Sequence, residues 1–182
     1  MYRSVYNHRV NEVCTWLLEQ LIKSARQLCP SRVWADEHMS TWLWSPNEIN
    51  IKTFLANDDI RTTYHLQRWG EEGPAQLKGL CKRFLNRNLL KAISLNSLNQ
   101  IEQLEALSLA RQLAERRGED PSLSCGLRKQ SLHGYQPYIG GLRLWDGVKL
   151  LAIEKASILI ESLIKPGGSS WLIYPREIDK EL

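Results

Sequence analysis

Leu89-Leu90-Lys91-Ala92-Ile93-Ser94-Leu95 is where the character of this 182-residue chain changes. Before it, apolar residues recur at steps of three and four, the period of a helix. The run itself fits a strand, and from it onward short apolar runs alternate with turn residues. Directly after it, Ser97 reads as the cap of a helix over 98–117, with Ile101, Leu104, Leu107, Ala110 and Ala114 as its apolar face and Gly118 as its stop. The stretch 119–141 is loop-rich, with Pro121, Gly126, Gly134, Pro137, Gly140 and Gly141, and has room for one strand near 122–129. Leu142-Arg143-Leu144-Trp145 reads as a strand, Asp146-Gly147 as a turn, 156–164 as a short helix, Pro166-Gly167-Gly168 as a turn and Trp171-Leu172-Ile173-Tyr174 as a last strand.

Upstream of the decisive run, everything reads as helix. Tyr2, Tyr6, Val10, Val13, Leu17, Leu21, Ala25 and Leu28 form one stripe, so the spacing predicts a single long helix over 2–28, ended by Cys29-Pro30-Ser31. A Trp-rich stretch, 34–44, predicts a short helix and turn, either buried or an interface, and Pro46 breaks it before a helical turn in 47–55. Asn57-Asp58-Asp59 supplies the cap of a helix over 58–69, Gly70-Glu71-Glu72-Gly73-Pro74 reads as a turn, and 74–86 as the next helix. The expected fold is α+β, mainly α: a helical bundle segment over 1–88, followed by a small α+β layer of the split βαβ type over 89–182.

Composition bounds the function. With 43% hydrophobic and 24% charged residues, the chain has the balance of a soluble globular protein. No apolar run approaches the roughly 20 residues a membrane span needs, and the N-terminus lacks the apolar core of a signal peptide. The four cysteines form no C-x-x-C pair, which argues against zinc and for reduced thiols in the cytoplasm. A net charge of +4 is too mild to imply nucleic-acid binding.

The distribution of charge says more. Between Gly73 and Ile101 there is no Asp or Glu, whereas Lys78, Lys82, Arg83, Arg87 and Lys91 all fall there. Clustered cations attract phosphate. The competing reading is a solvated face balanced by acids from elsewhere in the chain. A second group is Tyr2, Arg3, Tyr6, His8 and Arg9, where a tyrosine ring can stack on a sugar or base, or simply fill the core. Catalytic patterns are missing: Asp58-Asp59 is better explained as a helix cap, His65 and His133 stand alone, and no P-loop, nucleophile elbow or H-E-x-x-H motif occurs.

Taken in order, several segments resemble the HD-superfamily phosphohydrolases of the dNTP triphosphohydrolase type. Met1-Tyr2-Arg3-Ser4-Val5-Tyr6-Asn7-His8-Arg9 is similar to the family's "MY..VY.HK" segment, Leu55-Ala56-Asn57-Asp58-Asp59-Ile60 to its "L.l.DD" helix start, and Phe84-Leu85-Asn86-Arg87-Asn88-Leu89-Leu90-Lys91 to its "R.LfK" segment. Leu142-Arg143-Leu144-Trp145, Ala156-Ser157-Ile158-Leu159-Ile160 and Tyr174-Pro175 follow the order of its C-terminal layer. The resemblance implies the C-terminal portion of such an enzyme, inactive alone. The divalent metal of the full-length enzyme would be held by His, His-Asp and Asp ligands that this chain lacks, so none is expected to bind here. It implies substrate contacts from Tyr6, Arg3 and Tyr2, and effector contacts from His8, Arg9, Arg87 and Lys91. The implied partners are a dNTP substrate or nucleotide effector and further copies of the chain, while composition and charge patterning argue against a membrane and against nucleic acid. The alternatives are a non-catalytic nucleotide-binding regulatory or interaction module, and a helical scaffold without a ligand.

Overall fold

The computed structural model describes residues 8–132, 141–160 and 167–182. Helix α1 (Arg9–Gln27) carries the expected stripe: Val13, Leu17, Leu21 and Ala25 are buried. It does not continue unbroken from residue 2. At His8 the backbone is extended (ψ 139°), and the imidazole Nδ1 accepts the Val10 N–H at 3.3 Å. First-turn amides have no intrahelical acceptor, and a side chain that supplies one starts the helix there. Residues 1–7 lie outside the described residues.

Four short helices follow: α2 (Glu37–Trp44), α3 (Ile51–Ala56), α4 (Asp59–Glu72) and α5 (Ala75–Leu85), with a 3-10 turn at Pro46–Glu48. Asp36, Asn50 and Asp58 cap the first three by accepting the amides of Met39, Thr53 and Arg61. Asp58 is thus a cap, as its position suggested. Tryptophan N–H groups tie loops to this bundle: Trp44 donates to the Leu28 carbonyl and Trp69 to the Trp34 carbonyl. Helix α4 runs past the expected turn at Gly70 and stops at Gly73. Gly70 is buried inside the helix facing α5, where a Cβ would make only an ordinary 3.5 Å contact with the Cys81 Cβ, so it neither breaks the helix nor is demanded by packing.

Strand β1 (Lys91–Ser94) occupies the middle of the predicted run. Helix α6 (Gln100–Arg116) is capped by Asn99, not Ser97: Asn99 accepts the Ile101 and Glu102 amides, and Glu102 accepts the Asn99 N–H at 2.8 Å. This reciprocal pair satisfies two sets of orphan groups at once. Its buried face is also rotated from the expected one. Ala110 and Ala114 are buried with Gln103 and Leu113, while Ile101 and Leu104 face solvent. Gln103 wins the inner position because its amide donates to the carbonyls of Leu95 and Leu98, and its oxygen accepts from the Ser170 hydroxyl. Gly118 ends the helix at φ +78°.

After one helical turn, α7 (Pro121–Ser124), come β2 (Gly126–Leu132), the hairpin β3 (Arg143–Trp145) and β4 (Leu150–Ala152), the turn α8 (Ile153–Ala156) and β5 (Gly167–Tyr174). Helix α8 overlaps the predicted helix at 156–164 only at Ala156: Ser157 is extended, helix resumes over 158–160, and the rest of the predicted helix lies outside the described residues. The apparent turn at Gly167-Gly168 is strand, because these residues pair with Leu132 and Ser131. The main sheet has the order β1-β5-β2, with β5 antiparallel to both neighbours. Strands β1 and β2 are therefore parallel to each other, joined through α6 and separated by β5. That is the expected split βαβ arrangement in a mainly α, α+β fold.

Strand β5 divides the interior. Trp171 and Ile173 face the core built mainly by α1, α2, α4 and α5, and Leu172 and Tyr174 face the core under α6. Alternation along a strand puts successive side chains on opposite faces. Glu12 of α1 is buried and accepts from Arg128 Nε of β2 at 2.6 Å, while Glu19 accepts from the same guanidinium at 2.8 Å, so a charged clasp joins bundle and sheet. Among the described residues, no helix is long and apolar enough to cross a membrane.

Candidate functional site

The chain start of α1, β1 with the residues before it, the end of β5 and the C-terminal 3-10 turn (Arg176–Ile178) surround a cleft of about 250 Å³. Its apolar wall includes Val10, Val13 and Ala92, and its rim carries Arg9, Lys91 and Arg176. Val10, on the predicted stripe, is part-exposed because it stands in this opening. Helix α1 begins at the cleft, so its positive dipole end adds to the three cations. One carboxylate is also present. Asp179 pairs with Lys91 and accepts the Tyr174 hydroxyl at 2.8 Å.

These contacts act on ionisation. Lys91, then Tyr174, holds the Asp179 carboxyl below its ordinary range. Burial, reinforced by Asp179, pushes the Tyr174 phenol well up, so it stays a donor. Arg176 is oriented by a hydrogen bond from its Nε to the Leu89 carbonyl at 3.2 Å.

Of the predicted effector contacts, Arg9 and Lys91 thus line one cleft. His8 directly precedes Arg9, with Nδ1 engaged in the helix cap. Arg87 is exposed, sits in the left-handed region at φ +55°, and is close enough to α1 for its charge to favour the Cys14 thiolate, although burial raises that thiol overall. It does not line the cleft. The predicted substrate contacts Tyr2, Arg3 and Tyr6 lie outside the described residues. Sequence reasoning passed over Arg176, Tyr174 and Asp179 as site residues. They are some 80 residues from Lys91 in sequence, and only the pairing of Lys91 with Tyr174 across β1 and β5 brings them there.

The acid-free stretch is less bare than its sequence implies. Arg83 pairs with Glu119 at 2.8 Å, Lys91 with Asp179, and Lys78 donates to the Glu71 carbonyl. Acids from the C-terminal half therefore balance part of it, as the solvated-face reading expects. Lys82 and Arg87 have no carboxylate partner among the described residues.

His65 is structural. It is fully buried, its Nδ1–H donates to the Arg61 carbonyl at 2.8 Å, and its Nε2 accepts the Asp36 N–H at 3.2 Å, partners that define the neutral tautomer. Trp34 stacks on it with ring centres 4.8 Å apart. All four cysteines are free thiols. Among the described residues no group of three or more His, Cys, Asp and Glu is placed to hold a metal ion.

No protein-family model matches the chain. It is 24% identical over 189 residues to the uncharacterized protein YwfO of Bacillus subtilis, a match covering 98% of this chain and 43% of that protein. It also superposes on the crystal structure of a phosphohydrolase from Bacteroides thetaiotaomicron with a TM-score of 0.72, at 20% identity, over 97% of this chain and 47% of that one. The chain thus spans less than half the length of either relative, and shares the fold of the corresponding part of the phosphohydrolase.

Proposed function

We propose that this chain is the C-terminal, nucleotide-facing portion of a dNTP triphosphohydrolase of the HD type, and that the cleft between α1, β1 and the C-terminal turn binds the phosphates of a nucleotide effector or substrate. The observation that carries this reading is the convergence of Arg9, Lys91 and Arg176 with the N-terminus of α1 over an apolar wall. Guanidinium groups match phosphate oxygens in pairs, and Lys adds a mobile point charge. The apolar wall suits the sugar or base. Support also comes from the fold shared with a protein named as a phosphohydrolase. Tyr6, Arg3 and Tyr2 would contact substrate, and His8 and Arg87 would extend the effector surface toward a neighbouring copy of the chain. Hydrolysis itself requires the metal ligands of the full-length enzyme, so the chain alone is expected to release no triphosphate.

The test is calorimetric titration of the chain with dGTP, GTP and inorganic tripolyphosphate at fixed ionic strength. Micromolar binding is expected. Arg9→Ala and Lys91→Ala should each weaken it about tenfold, the worth of one charge-assisted contact. Binding that ignores both substitutions, or no binding up to millimolar ligand, rejects the cleft.

A further inference from the structure

We propose that Asp179 is an internal competitor for phosphate, holding Lys91 until an anionic ligand displaces it. The inference rests on the cleft being a phosphate site. Asp179 lines that cleft and pairs with Lys91, the cation contributed by β1. Its other oxygen accepts from Tyr174 OH at 2.8 Å. A carboxylate presented to an ammonium and a hydroxyl copies what one edge of a phosphate would offer. Both members of the ion pair are part-exposed, at 40% for Lys91 and 34% for Asp179, so the contact faces the opening and an incoming anion can reach it.

Two further features separate this pair from an ordinary structural clasp. Tyr174 is buried and Ile178 beneath the turn is fully buried, so the backbone bearing Asp179 is anchored and displacement needs only a side-chain rotation. Arg9 and Arg176 have no carboxylate ion-pair partner among the described residues, so they remain to attract the ligand while Lys91 is held. The contrast is with Arg128, which is gripped by two glutamates, one of them buried. Exposed pairs contribute little to stability, so giving this one up for a phosphate is inexpensive.

The experiment is a double-mutant cycle on the full chain, titrated with inorganic tripolyphosphate at constant ionic strength. Asp179→Asn keeps an oxygen that can accept from Tyr174, so the turn should stay folded, which circular dichroism checks. With Lys91 present, Asp179→Asn should tighten binding about tenfold, as a charge-assisted contact becomes available. In a Lys91→Met background the same change should tighten it less than about threefold, because only general repulsion is relieved. Glu177→Gln, on the same turn but outside the cleft lining, should change little. Equal gains in both backgrounds, or no gain with Lys91 present, overturn the competitor role while leaving the cleft intact. Absence of tripolyphosphate binding in every variant overturns the cleft and the competitor together.

Discussion

Gly126 shows how one residue can govern the joint between bundle and sheet. A Cβ at that position would lie 2.6 Å from Trp16 Nε1 and 2.7 Å from its Cζ2. Gly126→Ala must therefore displace the indole, and overpacking of this kind costs about 1–3 kcal/mol, measurable as a lower urea midpoint. In the sequence this glycine looks like loop punctuation, since nothing local announces a tryptophan 110 positions earlier. The cysteines divide in the same way. Burial pushes the Cys81 thiol up to about 12, whereas a hydrogen bond with Ser31 lowers the exposed Cys29. At pH 8 a thiol reagent should label Cys29 within minutes and Cys81 only after unfolding, which peptide mapping would show. Cys81 contributes fully below its unfolded value of 9.0, and its contribution is lost as pH rises from there toward about 12. The native state should therefore weaken in that alkaline window.

Among the elements, α6 separates two sequence signals that look alike. Ser97 and Asn99 are both cap-forming residue types, and only Asn99 has Glu102 three positions on to complete the reciprocal bonds. Asn99→Ala should cost about 1 kcal/mol and Ser97→Ala close to nothing, compared by denaturant unfolding. The stripe on α1 was legible because a 19-residue helix repeats its period enough times to define one face. The face of α6 was not. Its leucines and isoleucine outnumber the inward positions, and Gln103 displaces one of them by satisfying loop carbonyls that exist only in the folded chain. Gly70 and Gly167-Gly168 were misread for a related reason. Glycine marks turns, but it is also tolerated inside helices and pairs in strands.

For the whole molecule, β5 is the keystone, because it is the last strand in sequence and the central one in the sheet. It supplies Ile173 to one core and Leu172 and Tyr174 to the other. A chain truncated after residue 166 should lose both cores, giving a collapsed, dye-binding state in place of a folded bundle of residues 1–88. A bundle that kept a cooperative thermal transition would show that the helical segment stands alone. Periodicity and turn residues by themselves determined that the chain is helical first and α+β afterwards, where most elements lie, and that Asp58 caps a helix. Charge distribution grouped Arg9 and Lys91 with other cations, and the family resemblance marked both as effector contacts. Only the tertiary structure decided that these two share a cleft with Arg176, that Asp179 occupies Lys91, and that Arg83 is neutralised by Glu119. Helix periods and caps are set by neighbours within four residues, so they are written locally. Charge partners across a sheet are set by strand register, which the chain acquires only when β5 inserts between β1 and β2.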